Sequence, residues 1–86
     1  MEKYGTEIIN IDGITFRIGY LLDSEFSGYV FEMKKNGEWH GVLWVNESKR
    51  EIGWNSGIMA TDTEIAAISK AREILYEKYG KGRYHG

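Results

Sequence analysis

The chain contains no cysteine and no proline. The lack of cysteine excludes disulfides and cysteine-ligated metal, and it is typical of proteins from a reducing compartment. The lack of proline leaves the turns to glycine, asparagine, aspartate and serine, and the chain has 11 glycines. Burial must come from aromatic and aliphatic side chains. Three Trp, six Tyr and three Phe are available, and each can bury about 150–250 Å².

Two further absences concern targeting. The amino terminus has no basic start followed by an apolar run, which a secretory signal would need. No apolar stretch approaches the roughly 18–20 residues that a membrane-spanning helix requires. The sequence therefore predicts a cytoplasmic protein without a membrane partner. Its length predicts a single domain, residues 1–86, with an ordered core over about residues 6–79 and a flexible basic tail at 80–86.

Two β-hairpins are indicated by the dipeptides Asp12-Gly13 and Asn36-Gly37, each of which lies between runs of strand-forming residues. Such dipeptides favour a two-residue type I′ turn, in which both positions adopt a positive φ. The first hairpin is predicted over residues 7–22, where its turn pairs Ile11 with Ile14. The alternation of apolar and polar residues predicts a sheet with one packed face and one solvent face.

The second turn predicts which residues of its hairpin share a face. On the core face it places four cross-strand pairs, namely Lys35 with Glu38, Met33 with His40, Phe31 with Val42, and Tyr29 with Trp44. On the outer face it places Lys34 with Trp39, Glu32 with Gly41, and Val30 with Leu43. Leu43 is therefore expected on the solvent side of the sheet.

A short fifth strand is predicted over residues 51–54, and its register is open. A two-residue loop at Glu47-Ser48 places Ile52 and Trp54 on the face of Leu43 and Trp39. A slip by one residue sends both Ile52 and Trp54 to the core.

One helix is predicted near the C-terminus. Thr61-Asp62-Thr63-Glu64 has the spacing of a helix capping box. Apolar residues then recur at spacings of three and four from Ile65 to Tyr79, and Gly80 is placed to end the helix. The order of elements predicts an α+β fold: an antiparallel sheet of four to five strands, ββββ(β)α, with one C-terminal helix packed on one face.

Catalytic and metal-binding chemistry has little support in the sequence. The two histidines, His40 in a strand and His85 in the tail, are far apart, and no cysteine can complete a metal site with them. The serines have no neighbouring motif that supplies a base and an orienting acid. Acidic pairs near turns lack the burial that would shift their pKa values. The sequence therefore predicts no enzyme activity, no catalytic residue, no cofactor and no metal.

Binding residues are better supported, and six are predicted: Arg17, Lys34, Trp39, Leu43, Arg50 and Trp54. An exposed tryptophan beside cations on an open sheet face can stack a base or anchor a protein hot spot. The competing interpretation is structural, since the methylene stems of Lys34 and Arg17 can simply cover Trp39. The tail at 80–86 mixes basic and aromatic residues, as nucleic-acid- or peptide-binding arms do.

Charge favours protein over nucleic acid as the partner. The whole chain has 11 basic and 13 acidic side chains and a net charge of −2. Two of the basic side chains lie in the tail, so residues 1–79 carry a net charge of −4. A phosphate-tracking protein is usually basic, because it neutralises several phosphates. Nucleic acid stays as the alternative, because charge can segregate on one face.

A resemblance to a known family covers about residues 28–79. It rests on Gly37-Glu38-Trp39 in a hairpin turn, Lys49-Arg50-Glu51-Ile52-Gly53 before a further strand, and Thr61-Asp62-Thr63-Glu64-Ile65-Ala66-Ala67 at the start of a helix. In this order the segment resembles the three-stranded sheet plus helix of integrase arm-binding and plant AP2-type DNA-binding domains. In that family the sheet enters the major groove, so the resemblance implies that Lys34, Trp39 and Arg50 face DNA. The same βββα order also resembles half of a double-stranded-RNA-binding domain.

Three functions are compatible with these patterns. The first is a small non-catalytic binding protein that docks on a protein partner, comparable by class to the inhibitors and accessory proteins of phages and mobile elements. The second is a DNA- or RNA-binding module that uses the basic and aromatic residues of the sheet and the tail. The third is a homodimer that pairs its sheets around a small ligand. The sequence favours the first, in a monomer or a homodimer.

Overall fold

The structure is a computed structural model in which residues 2–22, 25–47 and 51–80 are described. Its strands are β1 (Glu2–Ile11), β2 (Ile14–Leu22), β3 (Ser27–Lys35), β4 (Glu38–Asn46) and β5 (Glu51–Trp54). The helix α1 (Asp62–Leu75) continues into a π-helical turn, Tyr76–Gly80. Every strand pairs antiparallel with the next, so the sheet order is β1-β2-β3-β4-β5. This arrangement confirms the predicted α+β fold.

Part of what the sequence predicts falls beyond the described ranges. Arg50 and the predicted tail after Gly80 lie outside the described residues. Within the described ranges, no helix combines the length and the apolar character that crossing a membrane demands.

Both predicted hairpin turns are confirmed. Asp12 and Gly13 have φ angles of 53° and 84°, and Asn36 and Gly37 have φ angles of 53° and 79°. These positive values are those of type I′ turns, which match the right-handed twist of the flanking strands. The register of β1 against β2 follows from the first turn as predicted, with Ile11 opposite Ile14, but β1 begins earlier than predicted, at Glu2.

The predicted register of the second hairpin is right near the turn and wrong beyond Glu32. Glu32 lies opposite Gly41 as predicted, but Phe31 lies opposite Leu43 rather than Val42. Val42 is therefore the extra residue of a β-bulge in β4, where two residues of one strand oppose one of its neighbour. The sequence signal of such a bulge is a glycine inside a strand, and Gly41 directly precedes Val42.

The bulge exchanges the faces of the second half of β4. Val42, Leu43 and Val45 are all completely buried in the core, and Trp44, predicted on the core face, lies on the opposite face instead. The prediction that Leu43 is exposed on the outer face is therefore wrong. Its physical reason is the pleat, because one inserted residue moves every later side chain to the other side of the sheet.

The register of β5 is settled by its pairing with β4. Val45 lies opposite Ile52 and Leu43 lies opposite Trp54, so both β5 side chains are on the core face of the sheet. Ile52 is buried, whereas Trp54 at the end of the strand is 57% exposed. Trp54 is thus separated from Trp39 by the thickness of the sheet.

The helix α1 covers the core face. Its N-terminus has the predicted capping box, in which the Thr61 hydroxyl accepts the Glu64 backbone N–H and the Glu64 carboxylate accepts the Thr61 N–H. α1 itself lies against β1 and β4. In the π-helical turn that follows it, Nζ of Lys78 lies 3.5 Å from Oε1 of Glu7 of β1, and the turn also lies against β5. The buried side chains of α1 are Glu64, Ala67, Ile68, Ala71 and Leu75.

Candidate binding site on the outer face of the sheet

The outer face is the side of the sheet turned away from α1, and its residues follow from the strand registers. One row across four strands contains Ile8, Arg17, Glu32 and Gly41. The next row contains Gly19, Val30, Trp44 and Gly53. Ile8 is 63% exposed, which is high for an isoleucine on a sheet.

The centre of the outer face is Trp39 of β4, which two cations contact. The guanidinium carbon of Arg17 lies 4.4 Å from the centroid of the Trp39 ring, and Nζ of Lys34 lies 4.8 Å from it. Both distances fall within the range of a cation–π interaction, about 6 Å. Three neighbouring strands supply these side chains, so the pairing of β2, β3 and β4 sets their relative positions.

Arg17 is also bound to a carboxylate. Its Nε and Nη2 atoms each donate a 3.0 Å hydrogen bond to one oxygen of Glu32, directly across from it on β3. This is the bidentate geometry that guanidinium and carboxylate groups favour. The charge of Arg17 is largely balanced by Glu32, and Lys34 leaves the cluster with a net positive charge of one.

Trp44 is the second tryptophan of the outer face, and its side chain extends from β4 toward β5. Its indole lies over Gly53 of β5, so closely that a Cβ atom on Gly53 would overlap the ring. Trp39 instead reaches toward Arg17 and Lys34 on β2 and β3. The two rings therefore extend in opposite directions from β4. Gly41 lies between them on the outer face, and because it has no side chain the surface is recessed there.

The structure brings together three of the six predicted binding residues: Arg17, Lys34 and Trp39. Leu43 is in the core, Trp54 is on the opposite face, and Arg50 lies outside the described residues. The predictions omit Glu32 and Trp44 as site residues. The Arg17–Glu32 pair depends on the register of β2 with β3, which their connecting loop leaves open in the sequence, and Trp44 depends on the bulge.

The pKa values of two described groups, Glu64 and Tyr20, are shifted, and neither group lies on the outer face. The hydrogen bond from Lys35 lowers the pKa of Glu64 in α1. The hydrogen bond that the Tyr20 hydroxyl donates to Glu47 raises the pKa of Tyr20, which is on the core face. Among the described residues, no three His, Asp or Glu side chains are grouped so that they could hold a metal ion.

Comparison of the chain with protein-family models, with curated proteins and with solved structures gave no match. The order of elements from β3 to α1 is the βββα order on which the resemblance to integrase arm-binding and AP2-type domains rests. In this chain two more strands, β1 and β2, extend the same sheet, and one of them supplies Arg17.

Proposed function

We propose that this chain is a non-catalytic binding protein that docks on a protein partner through the outer face of its sheet. The observation that carries the proposal is the cluster of Trp39, Arg17 and Lys34 on a sheet face that α1 leaves uncovered. Tryptophan and arginine are the residues most enriched in the energetic hot spots of protein interfaces. A partner that fits has an apolar centre for Trp39 and Ile8 and a carboxylate near Lys34.

The site is arranged before any partner binds. The Glu32 carboxylate holds the guanidinium of Arg17, and Arg17 and Lys34 hold the ring of Trp39. Ordered side chains lose little conformational entropy on association, and this loss is one of the main costs of forming an interface. Trp39 is already half-buried, so a partner gains the burial of the part of the indole that is still exposed, at a low entropic cost.

Nucleic acid is the alternative, and the same cluster supports it less well. Trp39 beside Lys34 could stack a base and hold a phosphate. Binding to a phosphate backbone, however, needs several cations that are not already neutralised. On the outer face Glu32 occupies two donors of Arg17 and places a carboxylate beside the ring. This negative charge favours a protein surface.

The partner is identified by photo-crosslinking from the outer face. A benzoylphenylalanine at position 8, beside Arg17, should capture the partner, and the same group at position 69 on α1 should not. Capture from position 69 alone would place the interface on the helix and contradict the proposal.

The affinity for the captured partner then tests the site itself. Trp39→Ala should weaken binding by about 30-fold or more, equivalent to about 2 kcal/mol. Trp54→Ala, a matched tryptophan on the opposite face, should change the affinity less than about 2-fold. Lys34→Glu keeps the fold, because Lys34 is exposed, and should weaken binding to an acidic partner surface. If Trp39→Ala and Lys34→Glu both bind normally, the outer face is not the site.

A mobility-shift assay with single- and double-stranded DNA and RNA distinguishes nucleic-acid binding from protein docking. The proposal expects no shift at physiological salt. A shift at micromolar protein that vanishes as salt is raised would favour the nucleic-acid module instead.

A more specific role can be proposed by analogy with other small non-catalytic binding proteins. A cytoplasmic inhibitor or accessory protein of phage or mobile-element type would use such a face to occupy a surface of a host complex. A homodimer that pairs two outer faces is a competing use of the same residues. In sedimentation, a homodimer would dissociate on dilution, and Trp39→Ala would weaken it, because a two-fold interface uses the same patch of both subunits.

A further inference from the structure

The strand β1 forms one edge of the sheet, and one side of its backbone is open. Among the described residues, its backbone pairs with β2 alone. In a two-residue hairpin, the pair next to the turn exchanges both backbone hydrogen bonds, and so does every second pair after it. Ile11 and Ile14 are that pair, and Ile9 follows them in the alternation. The N–H and C=O groups of Ile8 and Asn10 therefore point away from the sheet.

This edge lacks the features by which natural sheets prevent a further strand from pairing. Such features are a short edge strand, proline, charged side chains and bulges. β1 has 10 residues, whereas β5 at the other edge has 4. Residues 8–11 include no proline and no charged residue, and the irregular pairing of β1 lies outside them, between Tyr4 and Thr6. The side chain of Asn10 reaches back to the turn, where its Oδ1 accepts the Gly13 N–H at 3.0 Å. The edge is therefore open to an added strand.

A shallow groove of about 460 Å³ lies on the core face at this edge, between Ile11 of β1 and the neighbouring side of α1. Ile11 and Ile74 line it and are only half-buried, although both pack against the core. Alternate side chains of a strand added to β1 would point toward the core face. They would lie over the groove and bury apolar surface that β1 and α1 leave uncovered.

The charged rim of the groove includes a carboxylate that no cation balances, that of Glu73. Nζ of Lys70 lies 2.7 Å from the Asp12 carboxylate, and Nζ of Lys78 lies 3.5 Å from that of Glu7. Glu73 has no ion-pair partner among the described residues. A second copy of the chain, paired edge to edge about a two-fold axis, would bring its own α1 and another Glu73 toward the groove. The charge therefore favours a strand from a different protein that carries a lysine or an arginine.

We propose that the open edge of β1 binds an extended segment of a partner protein as a sixth strand. The segment pairs with the backbone groups of Ile8 and Asn10. It places apolar side chains over Ile11 and Ile74 and a cation near Glu73. In such strand addition the backbone hydrogen bonds supply affinity, and the sites for alternate side chains supply specificity. The proposal does not depend on docking at the outer face, since the groups that it uses lie at the edge and on the core face.

The test uses the whole chain, with the capped peptide Lys-Thr-Val-Thr-Val-Thr-Lys as the probe. Its valines and lysines alternate with threonines, so they share one face of a strand. In NMR titrations up to about 1 mM peptide, we expect the backbone amide signals of Ile8 and Asn10 to shift in a saturable manner. The indole signals of Trp39 and Trp54, which lie away from this edge, should not move. The matched peptide Glu-Thr-Val-Thr-Val-Thr-Glu should bind at least about 3-fold more weakly, because its charges repel Glu73.

Variants of the protein and of the peptide locate the backbone contact. Ile8→Pro removes an outward N–H and should weaken the peptide about 10-fold or more, whereas Ile8→Thr keeps the N–H and should bind normally. Proline is compatible with an edge strand where the N–H faces solvent, and urea unfolding checks the fold of both variants. N-methylation of the peptide requires no change in the protein. Methyl groups on the threonine nitrogens and on the valine nitrogens block opposite edges of the bound strand, so only one of these two sets should abolish binding.

Three results would overturn the proposal: unchanged Ile8 and Asn10 signals, equal binding to Ile8→Pro and Ile8→Thr, or undiminished binding of both methylated peptides. A fourth result would assign the edge to a second copy of the chain instead. In that case the Ile8 and Asn10 amides of the protein alone would exchange slowly at high concentration and rapidly on dilution.

Discussion

Lys35 at the end of β3 donates a 2.6 Å hydrogen bond from Nζ to Oε1 of Glu64 in the first turn of α1. The same carboxylate oxygen accepts the backbone N–H of Thr61 at 2.8 Å. One carboxylate thus caps the helix and ties it to the sheet. The hydrogen bond from Lys35 is the main reason that the pKa of Glu64 lies below its ordinary value.

This lowered pKa predicts how stability depends on pH. A carboxyl group that binds its proton less tightly when folded adds stability above its unfolded pKa, and this contribution is lost as the pH falls through the folded pKa. As the pH drops below 4.5, the ordinary pKa of this carboxyl group, the free energy of unfolding of the wild type should therefore decrease more steeply than that of Glu64→Gln. Urea titrations from neutral to acid pH measure both. If the free energies of unfolding of the two proteins decrease in parallel as the pH falls, Glu64 does not carry this effect.

A second prediction concerns Gly28 of β3, which lies against the backbone of β4. A Cβ atom at this position would overlap the carbonyl oxygen of Val45, and a strand backbone cannot move aside as a side chain can. Gly28→Ala should therefore lower the free energy of unfolding by about 1–3 kcal/mol. Gly41→Ala is the matched control, because its nearest neighbour is the Val30 methyl group at 4.0 Å. The control should stay within about 0.5 kcal/mol of the wild type in urea unfolding.

Sequence patterns predict most of this fold because its registers start at turns. The pairs Asp12-Gly13 and Asn36-Gly37 need positive φ angles, and both turns have them. The capping box of Thr61 and Glu64 likewise marks the start of α1. What the patterns miss is Val42, since its insertion depends on how β4 packs against α1 and β3 together. Gly41 beside it is compatible with a bulge but does not require one.

The candidate site is less predictable than the fold, because it depends on contacts between hairpins. Arg17 and Trp39 belong to different hairpins, and their meeting over β3 requires the register of β2 with β3. That register is set by a loop without a diagnostic turn. Leu43 is misplaced for the same reason as Val42, since every later residue of β4 inherits the change of face at the bulge. The face of Trp54 is left open because it also depends on the length of the loop that joins β4 to β5.

A double-mutant cycle decides whether Arg17 acts on Trp39 through its charge or through its stem. Arg17→Met keeps an apolar stem of similar length and removes the guanidinium. With Trp39→Leu as the second change, the coupling in unfolding free energy should be about 0.5–1 kcal/mol if the cation–π contact at 4.4 Å contributes. The cycle of Lys70→Met with Trp39→Leu should show none, because Lys70 lies on α1. A coupling near zero in both cycles would mean that Arg17 only covers the ring.

The last prediction concerns Glu32, whose carboxylate we expect to keep nucleic acid away from the outer face. Glu32→Gln leaves Arg17 without its anionic partner, so two unbalanced cations would then lie beside Trp39. The variant should bind single-stranded DNA at low salt more tightly than the wild type. The slope of log affinity against log salt should steepen by about one, because one more phosphate contact forms. Glu73→Gln on α1 makes the same change in net charge and should leave the slope unchanged. If both variants gain equally, net charge rather than the outer face governs the interaction, and Glu32 has no specific role in choosing the partner.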